Sequence, residues 1–360
     1  MSIHFYEKES HKCPFTNASP PHLLKDHNTR CLILRYYSDM YAILPIRQPD
    51  DEIDDTLDSD SERLYYPSFV VKSSRLEETI AHVLDEAFLY EYREPTLAIL
   101  YSGTRTATGL LEHRKDTVSL LVVNLDLQQR ASTTIFSIHG LPFDCFRVLP
   151  LPQPVGGLLV LGANEVIHVD QAGRYICVGV NIYAKKTTSF PMTLRPELKL
   201  CFVGAVALSL GNEDGDVLLA LRDSAFIQLR FLRDGRNVTD ISIDTVHISS
   251  IPGIGMAGFS CSVALASERL FFGSVTGDSV LMGYSVRGKA VNVGGVSIGM
   301  NDTVDDLDKI YGDEEEDGTI VTNMKLQVRV HDYLRCTAPI RDATFAVPAL
   351  SDVATRSHLC

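Results

Sequence analysis

The chain is predicted to be all-β, built from repeated antiparallel hairpins. Three observations carry this: a recurring pattern of apolar run, short turn and second apolar run; strand candidates about every ten to twelve residues with turn signals between them; and one segment only with helical periodicity. The 360 residues are 45% hydrophobic and 22% charged, which suits a packed core in one large β-architecture or two average domains.

The hairpin pattern appears first as CLILRYYSDMYAILPI from Cys31 and then as TLAILYSGTRTATGLLEH from Thr96. It returns as GLLVLGANEVIHVD from Gly157, VLLALRDSAFIQLRFL from Val217 and RLFFGSVTGDSVLMGYS from Arg269. β-Branched and aromatic residues dominate the runs, as half-buried strands require. Ser102-Gly103, Ala163-Asn164, Arg222-Asp223 and Thr276-Gly277 fall where the chain must reverse tightly. Further strands are predicted at Thr117–Leu127, Thr133–Ile138, Leu200–Leu208, Val238–His247 and Phe259–Ala266. Sandwich, barrel and propeller all fit this spacing. Successive hairpins lie roughly forty to sixty residues apart, close to the blade period of a propeller. A WD-type signature is excluded, because the chain has no Trp. Leu76–Leu89 places apolar residues at 76, 80, 83, 84 and 88, close to helical spacing, while a strand starting near Ile80 fits the same residues.

Charge is unevenly spread. Asp50–Glu62 holds eight acidic residues and no Lys or Arg, and Asp302–Asp317 holds nine against the single Lys309. The overall −13 therefore belongs to these two runs, and the remainder is close to +3. Gln48–Tyr66 and Gly288–Asn323 cannot bury enough apolar surface to offset their ordering entropy, so both are predicted to be exposed loops. The acidic runs could meet a basic partner, carry phosphate at Ser59 or Ser61, or bind Ca²⁺. They lack the Gly and closing Glu of an EF-hand loop, and a solvating loop is the simpler reading. Strand character returns afterwards in MKLQVRVHDYL and DATFAVPAL.

The eight cysteines form no CxxC and no Cys/His metal spacing; most sit in apolar runs as small hydrophobes, which fits a reducing compartment. No basic stretch with an apolar h-region follows Met1, and no run of eighteen apolar residues occurs. Without a secretory signal, the N-x-S/T matches at Asn17, Asn237 and Asn301 read as chance.

Catalytic signatures are missing: there is no G-x-S-x-G, GxxxxGK[ST], HExxH or helix-opening GxGxxG. The Gly253–Gly258 cluster precedes a strand and lacks the helix N-terminus that would cradle a phosphate. His113 with Asp116 could be an acid/base pair, but beside Arg114 and Lys115 a solvated turn is the simpler reading. No catalytic, cofactor-binding or metal-binding residue is assigned. The basic doublets Arg114-Lys115 and Lys185-Lys186 form no stripe that sequence can locate.

One stretch identifies the lineage. Leu141–Cys145 (LPFDC), the proline ladder Pro150, Pro152 and Pro154, the pair Gly156-Gly157, Asn181 and Thr187–Pro191 (TTSFP) resemble the large subunit of the cleavage and polyadenylation specificity factor. Segments MSIHFYE, TRCLILRYYSDMYAILPIR, EPTLAILY, RLFFGSVTGDSVLMGY and DDLDKIYG extend the likeness over essentially the whole chain. Some of the pattern is shared with the damaged-DNA-binding large subunit, whereas LPFDC, TTSFP and the acidic IYG segment favour the polyadenylation branch.

The resemblance implies a partial seven-bladed-type β-propeller of four-stranded antiparallel blades. Residues 1–290 would form about four to five blades of an incomplete first propeller, with an acidic loop at 48–66. Residues 291–322 would be an acidic linker, and 323–360 closing strands or the start of a second propeller. It further implies a non-catalytic nuclear scaffold without cofactors. Its partners would be WD-repeat and zinc-finger subunits of the polyadenylation factor, with pre-mRNA contacted weakly or indirectly. The match starts inside the family's first propeller and stops where the second would begin, so the chain is expected to be a piece of a longer protein. The acidic linker also lacks the Lys/Arg cluster that often serves nuclear import. The rival readings are a ubiquitin-ligase propeller adaptor, an autonomous RNA-binding module and, most distantly, a propeller enzyme.

Overall fold

The computed structural model describes residues 21–37, 39–48, 65–104, 108–110, 112–246, 248–249, 258–265, 268–288 and 324–335. They form a β-propeller of five consecutive blades, each a meander of four antiparallel strands. Blade I contains β1 (His22–Lys25), β2 (Cys31–Tyr36), β3 (Met40–Pro45) and β4 (Phe69–Lys72). Blade II contains β5 (His82–Phe88), β6 (Thr96–Ser102), β7 (Val118–Asp126) and β8 (Ala131–Leu141). Blade III contains β9 (Arg147–Pro150), β10 (Leu158–Leu161), β11 (Glu165–Val169) and β12 (Tyr175–Gly179), with the short β13 (Thr193–Leu194) added in parallel to β12. Blade IV contains β14 (Val206–Ser209), β15 (Val217–Ala220), β16 (Phe226–Asp234) and β17 (Asn237–Val246). A two-residue strand, β18 (Ile248–Ser249), then runs parallel to the outer strand of blade V. That blade contains β19 (Phe259–Leu265), β20 (Arg269–Ser274), β21 (Ser279–Gly288) and β22 (Met324–Leu334). Thus two blades carry a fifth strand beyond the four expected.

Burial explains why the inner strands β6, β10, β11 and β15 of blades II–IV lack an apolar/polar alternation. All residues of β6, β10, β11 and β15 are buried. Alternate residues of each strand serve different interfaces. In β10, Leu158 and Val160 pack towards blade II, with Leu100, Leu120 and Val122. Leu159 and Leu161 pack towards blade IV, with Val217, Leu219 and Ile227. In β6, Ala98 and Leu100 face blade III, whereas Leu97, Ile99 and Tyr101 face Ile33, Tyr41 and Ile43 of blade I. Leu218, Ala220 and Phe226 of blade IV meet Leu270, Phe272 and Val280 of blade V. Blade I instead alternates buried and part-exposed residues along β3, because among the described residues only one of its faces is covered.

Polar clasps reinforce these interfaces. The Glu86 carboxylate, from β5, accepts hydrogen bonds from Arg35 Nε at 2.6 Å and Tyr41 OH at 3.0 Å in blade I. Its neighbour Asp85 accepts from the Val148 amide of blade III at 2.8 Å. Asp85 and Glu86 are consecutive in the regular part of β5, so strand alternation alone sends their carboxylates to opposite neighbours. Arg30, paired with Asp26, donates to the Tyr92 carbonyl at 2.8 Å, and His27 stacks on Tyr90 with ring centroids 3.5 Å apart.

Several expectations need correction. Leu76–Leu89 is not a helix: only Ser73–Leu76 forms one helical turn, and His82–Phe88 is β5. The second half of the Thr96 hairpin is not a strand, because Thr108–Leu110 forms a 3₁₀ turn and β6 pairs with Val118–Asp126 instead. Leu200–Leu208 is a strand only from Val206, since Lys199 (φ 52°) and Gly204 (φ 71°) turn the chain before it. β22 pairs along the length of β21, so residues 324–334 belong to the sheet of blade V. The acidic loop lies outside the described residues at positions 49–64, where Ile46 and Tyr65 pair at its base. The linker at 291–322, the segment 336–360, Ser59, Ser61, Asn17 and Asn301 also lie outside them.

The Gly156-Gly157 pair closes the β9–β10 turn, with both residues in the left-handed region (φ 69° and 72°). A Cβ on Gly157 would lie 2.2 Å from the Val169 carbonyl oxygen, whereas one on Gly156 would meet only Gln171 Nε2 at 3.9 Å. Gly156→Ala is therefore expected to cost about 1–2 kcal/mol, the ordinary left-handed penalty. Gly157→Ala should cost clearly more, because a backbone atom must also move. Chemical denaturation of the two variants tests this, and equal midpoints would refute the packing argument.

Candidate interaction site

The residues that carry the family likeness converge on blade III. Call its upper end the end at which the first strand of each blade begins. There LPFDC crosses from β8 to β9. Leu141 and Cys145 are buried, the Phe143 amide donates to the Lys115 carbonyl at 3.0 Å, and the Phe146 amide donates to Leu161 at 2.9 Å. Asp144 Oδ2 accepts from Asn164 Nδ2 at 2.7 Å, and Asn164 Oδ1 accepts from Asn181 Nδ2 at 2.9 Å. Asn181 Oδ1 accepts from the amides of Tyr183 and Ala184, opening the short helix Ala184–Thr187. TTSFP follows. Thr188 Oγ1 donates to Asp116 and accepts from the Phe190 amide, while the Ser189 amide donates to Asp116 Oδ2 at 3.1 Å. Phe190 then fills the core between blades II and III.

The proline and glycine ladder sits at the opposite end. Gly156 donates its amide to the Pro152 carbonyl at 3.1 Å, and the Gly156 carbonyl faces His168 Nε2 at 3.1 Å. Burial pushes the His168 pKa down, so the neutral ring acts as a donor to that carbonyl. Arg233 of blade IV donates to Pro154 at 3.2 Å, and Val155 lies so close to Gly215 that a Cβ there would be 2.5 Å away. The ladder therefore shapes the junction of blades III and IV.

Glu165 lies at the centre of the upper network. It is fully buried, and a Cβ on Gly162 would fall 1.9 Å from its Oε1, so Gly162 makes room for the carboxyl. Burial first, and then the negative charge and hydrogen bond of Asp144, push its pKa up to about 10. Glu165 is accordingly protonated at neutral pH. Cys145 and Cys177 are also buried with thiol pKa values pushed up by burial, so neither is an activated nucleophile.

His113 and Asp116 do not form an acid/base pair. The Asp116 carboxylate is occupied by Thr188 and Ser189, and the exposed His113 lies elsewhere along an open depression of about 610 Å³. Arg114, Lys115, Thr104, Thr117 and Ser189 also line it. The Asp116 clasp brings the 112–117 loop, which bears one basic doublet, against the 188–189 segment, which follows the other in sequence. Ile182 and Tyr183, beside Lys185 and Lys186, are 58% and 57% exposed. Sequence reasoning missed this contact because the two segments belong to different blades. Among the described residues no group of three His, Cys, Asp or Glu could hold a metal, and no helix is long and apolar enough to cross a membrane. Asn237 is at the start of β17, its side-chain oxygen accepting from Arg174 at 2.7 Å.

These features define a β-propeller whose distinctive residues build blade junctions and loop platforms. Comparison with known sequences then places it: the family described as the RSE1/DDB1/CPSF1 first beta-propeller matches residues 3–324, and the chain belongs to that family. It is 39% identical to protein CFT1 of Coccidioides immitis over 88% of its own length and 24% of that relative. It is 36% identical to protein cft1 of Aspergillus clavatus over 100% of this chain and 29% of the relative. Protein cft1 of Schizosaccharomyces pombe is 38% identical over 96% of this chain, which spans 25% of that relative. The chain thus covers about a quarter of the length of the relatives it matches.

The raised Glu165 pKa has a consequence for stability. The folded state keeps a proton that the unfolded state releases above about pH 4.5, so its contribution is complete below that pH and declines as pH rises towards about 10. Glu165→Gln needs no such proton. Relative to the parent, its stability should gain about 1.4 kcal/mol per pH unit between pH 7 and 8.5. Thermal melts at several pH values read this directly; parallel curves for the two proteins would rule out a protonated Glu165.

Proposed function

We propose that the chain is a non-catalytic scaffold subunit of the pre-mRNA 3′-end cleavage and polyadenylation machinery, acting in the nucleus. On this reading the propeller docks WD-repeat and zinc-finger subunits and assists recognition of the poly(A)-signal RNA. The observation that carries it is family membership together with 36–39% identity to three Cft1 proteins over 88–100% of the chain. The site supports it as well, because the distinctive residues hold loops in place at the upper end of blade III.

For the domain organisation, the proposal is a seven-bladed-type ring to which the five blades contribute. Residues 1–290 form the body, 291–322 act as an acidic linker, and 323–360 supply closing strands or the beginning of a second propeller. Pairing of β22 with β21 supports closing strands for its part of that segment.

Affinity purification of the endogenous, full-length tagged gene product followed by mass spectrometry tests the assignment. Recovery of polyadenylation-factor subunits, including the WD-repeat and zinc-finger proteins, is expected. Recovery of a cullin without any of them would replace the proposal with an adaptor of the damaged-DNA-binding type.

A further inference from the structure

We propose that the outer edge of blade II is a pairing surface for a second copy of this chain: β8 of one protomer adds antiparallel to β8 of its partner about a two-fold axis. A strand edge leaves backbone donors and acceptors open to pairing, and proteins ordinarily blunt it by covering, shortness, charge, proline or bulges. In the other four blades the outer edge is covered, short or charged. β12 and β22 carry the added strands β13 and β18. β4 is four residues long and ends in Lys72. β17 holds Asp240 and Asp244, which a two-fold pairing would bring towards their own copies.

β8 has none of these three protections. It is eleven residues long, lies last in its sheet, and contains no Lys, Arg, Asp, Glu or Pro. Its protection is two register shifts, one leaving Ile135 extra between Thr134 and Phe136 and the other falling between Ile138 and Leu141. They leave Ala131–Thr134 in regular pairing with Val123–Asp126, and all four residues are exposed. β13 and β18 occupy their edges over two residues each, so the regular part of β8 is longer than what the edges of blades III and V already receive.

Charge selects the occupant. The segment Ala131-Ser132-Thr133-Thr134 is neutral and rich in hydroxyls, so its own copy meets it without opposing like charges, and opposed Ser and Thr side chains form favourable cross-strand pairs. Arg130, in the turn before it, lies over the Phe69 ring of blade I, 5.8 Å from the centroid, and so is directed away from the edge. A charged peptide would therefore find no counter-charge along the strand. Pairing about a two-fold axis uses the same patch on both copies and closes at two. Ile135, 39% exposed at the end of the segment, is brought beside the partner's edge.

The inference does not rest on the polyadenylation reading, and its test uses the full chain alone. Sedimentation velocity over about 1–100 μM, the range in which a small interface dissociates, is expected to show a monomer giving way to a dimer and to nothing larger. Ser132→Lys/Thr133→Lys should raise the dissociation constant at least about tenfold, because lysines of both copies then crowd the axis. Ser132→Ala/Thr133→Ala keeps the edge neutral and should still dimerise. Leu23→Lys, at a 65% exposed position of blade I, should dimerise as the parent does. Hydrogen exchange at residues 131–134 should slow with concentration in the parent and not in the lysine pair, and circular dichroism confirms that each variant is folded. Assemblies larger than two copies, a dimer that the lysine pair leaves intact, or one that Leu23→Lys abolishes would overturn the proposal. So would a parent that stays monomeric; if its 131–134 amides are then protected in the purified endogenous complex, the edge receives a strand from another subunit instead.

Discussion

Burial of strands on both faces governs this molecule. An antiparallel sheet ordinarily presents one face to water and so alternates apolar and polar residues. In blades II–IV neighbours occupy both faces, and β6, β10, β11 and β15 have no solvent side at all. Each fully buried Leu, Val or Ile contributes about 1.5–3 kcal/mol of transfer free energy, but only while the adjoining blade is in place. Stability therefore resides in the interfaces, and a blade cannot be understood as an independent unit. The consequence appears in blade I, where β2 and β3 have one covered face and alternate in burial.

Stacking sheets through apolar faces leaves their relative position weakly specified, since dispersion and transfer terms have little direction. Polar groups at the blade junctions supply it. Glu86 and Asp85, adjacent on β5, reach into blades I and III respectively. Arg195 donates to the Ile241 carbonyl at 2.9 Å to join blades III and IV, and Tyr284 OH donates to Leu210 at 2.7 Å to join V to IV. A buried charge left without its partner costs several kcal/mol, so such clasps penalise misaligned packing more than they reward the aligned state. The family-marking residues fit this logic: LPFDC, Asn181 and TTSFP are junction parts whose chemistry is hydrogen bonding, and the surface they support is a by-product of how they cross between blades.

The same two-sided burial decides what could be read from sequence. Hairpins β2–β3, β10–β11, β15–β16 and β20–β21 were legible because their turns hold residues suited to tight reversals between uninterrupted apolar runs. β5 was ambiguous because its register shift breaks the period of two, and apolar residues serving two interfaces then mimic helical spacing. The Thr96 hairpin misled because its nearest apolar run, at Gly109-Leu110, lies in a 3₁₀ turn while the true partner follows at Val118. β13 and β18, two residues each, carry too little pattern to be seen. For the site, residue types were visible but their meeting was not: Asp116 reaches Thr188 across |i−j| = 72. No local signal encodes that distance.

Net charge is the property most easily misread here. A formal −13 suggests a chain that repels polyanions, yet seventeen of its acidic residues occupy two short runs, and the rest is close to neutral. At physiological ionic strength electrostatic fields decay over about 8 Å, so a ligand responds to the charges within a few residues of its path. What an approaching partner meets at the upper end of blades II and III is set by which charges lie there. Asp116 is occupied in holding the loop, and Asp144 shares the buried network with Asn164 and Glu165. The donors to Asp116 are neutral, so its carboxylate keeps its charge on the depression, and Arg114 and Lys115 are offset there by Asp116 and Glu112. The hydrogen bonds that lock the junction thus fix where such charges lie without removing them.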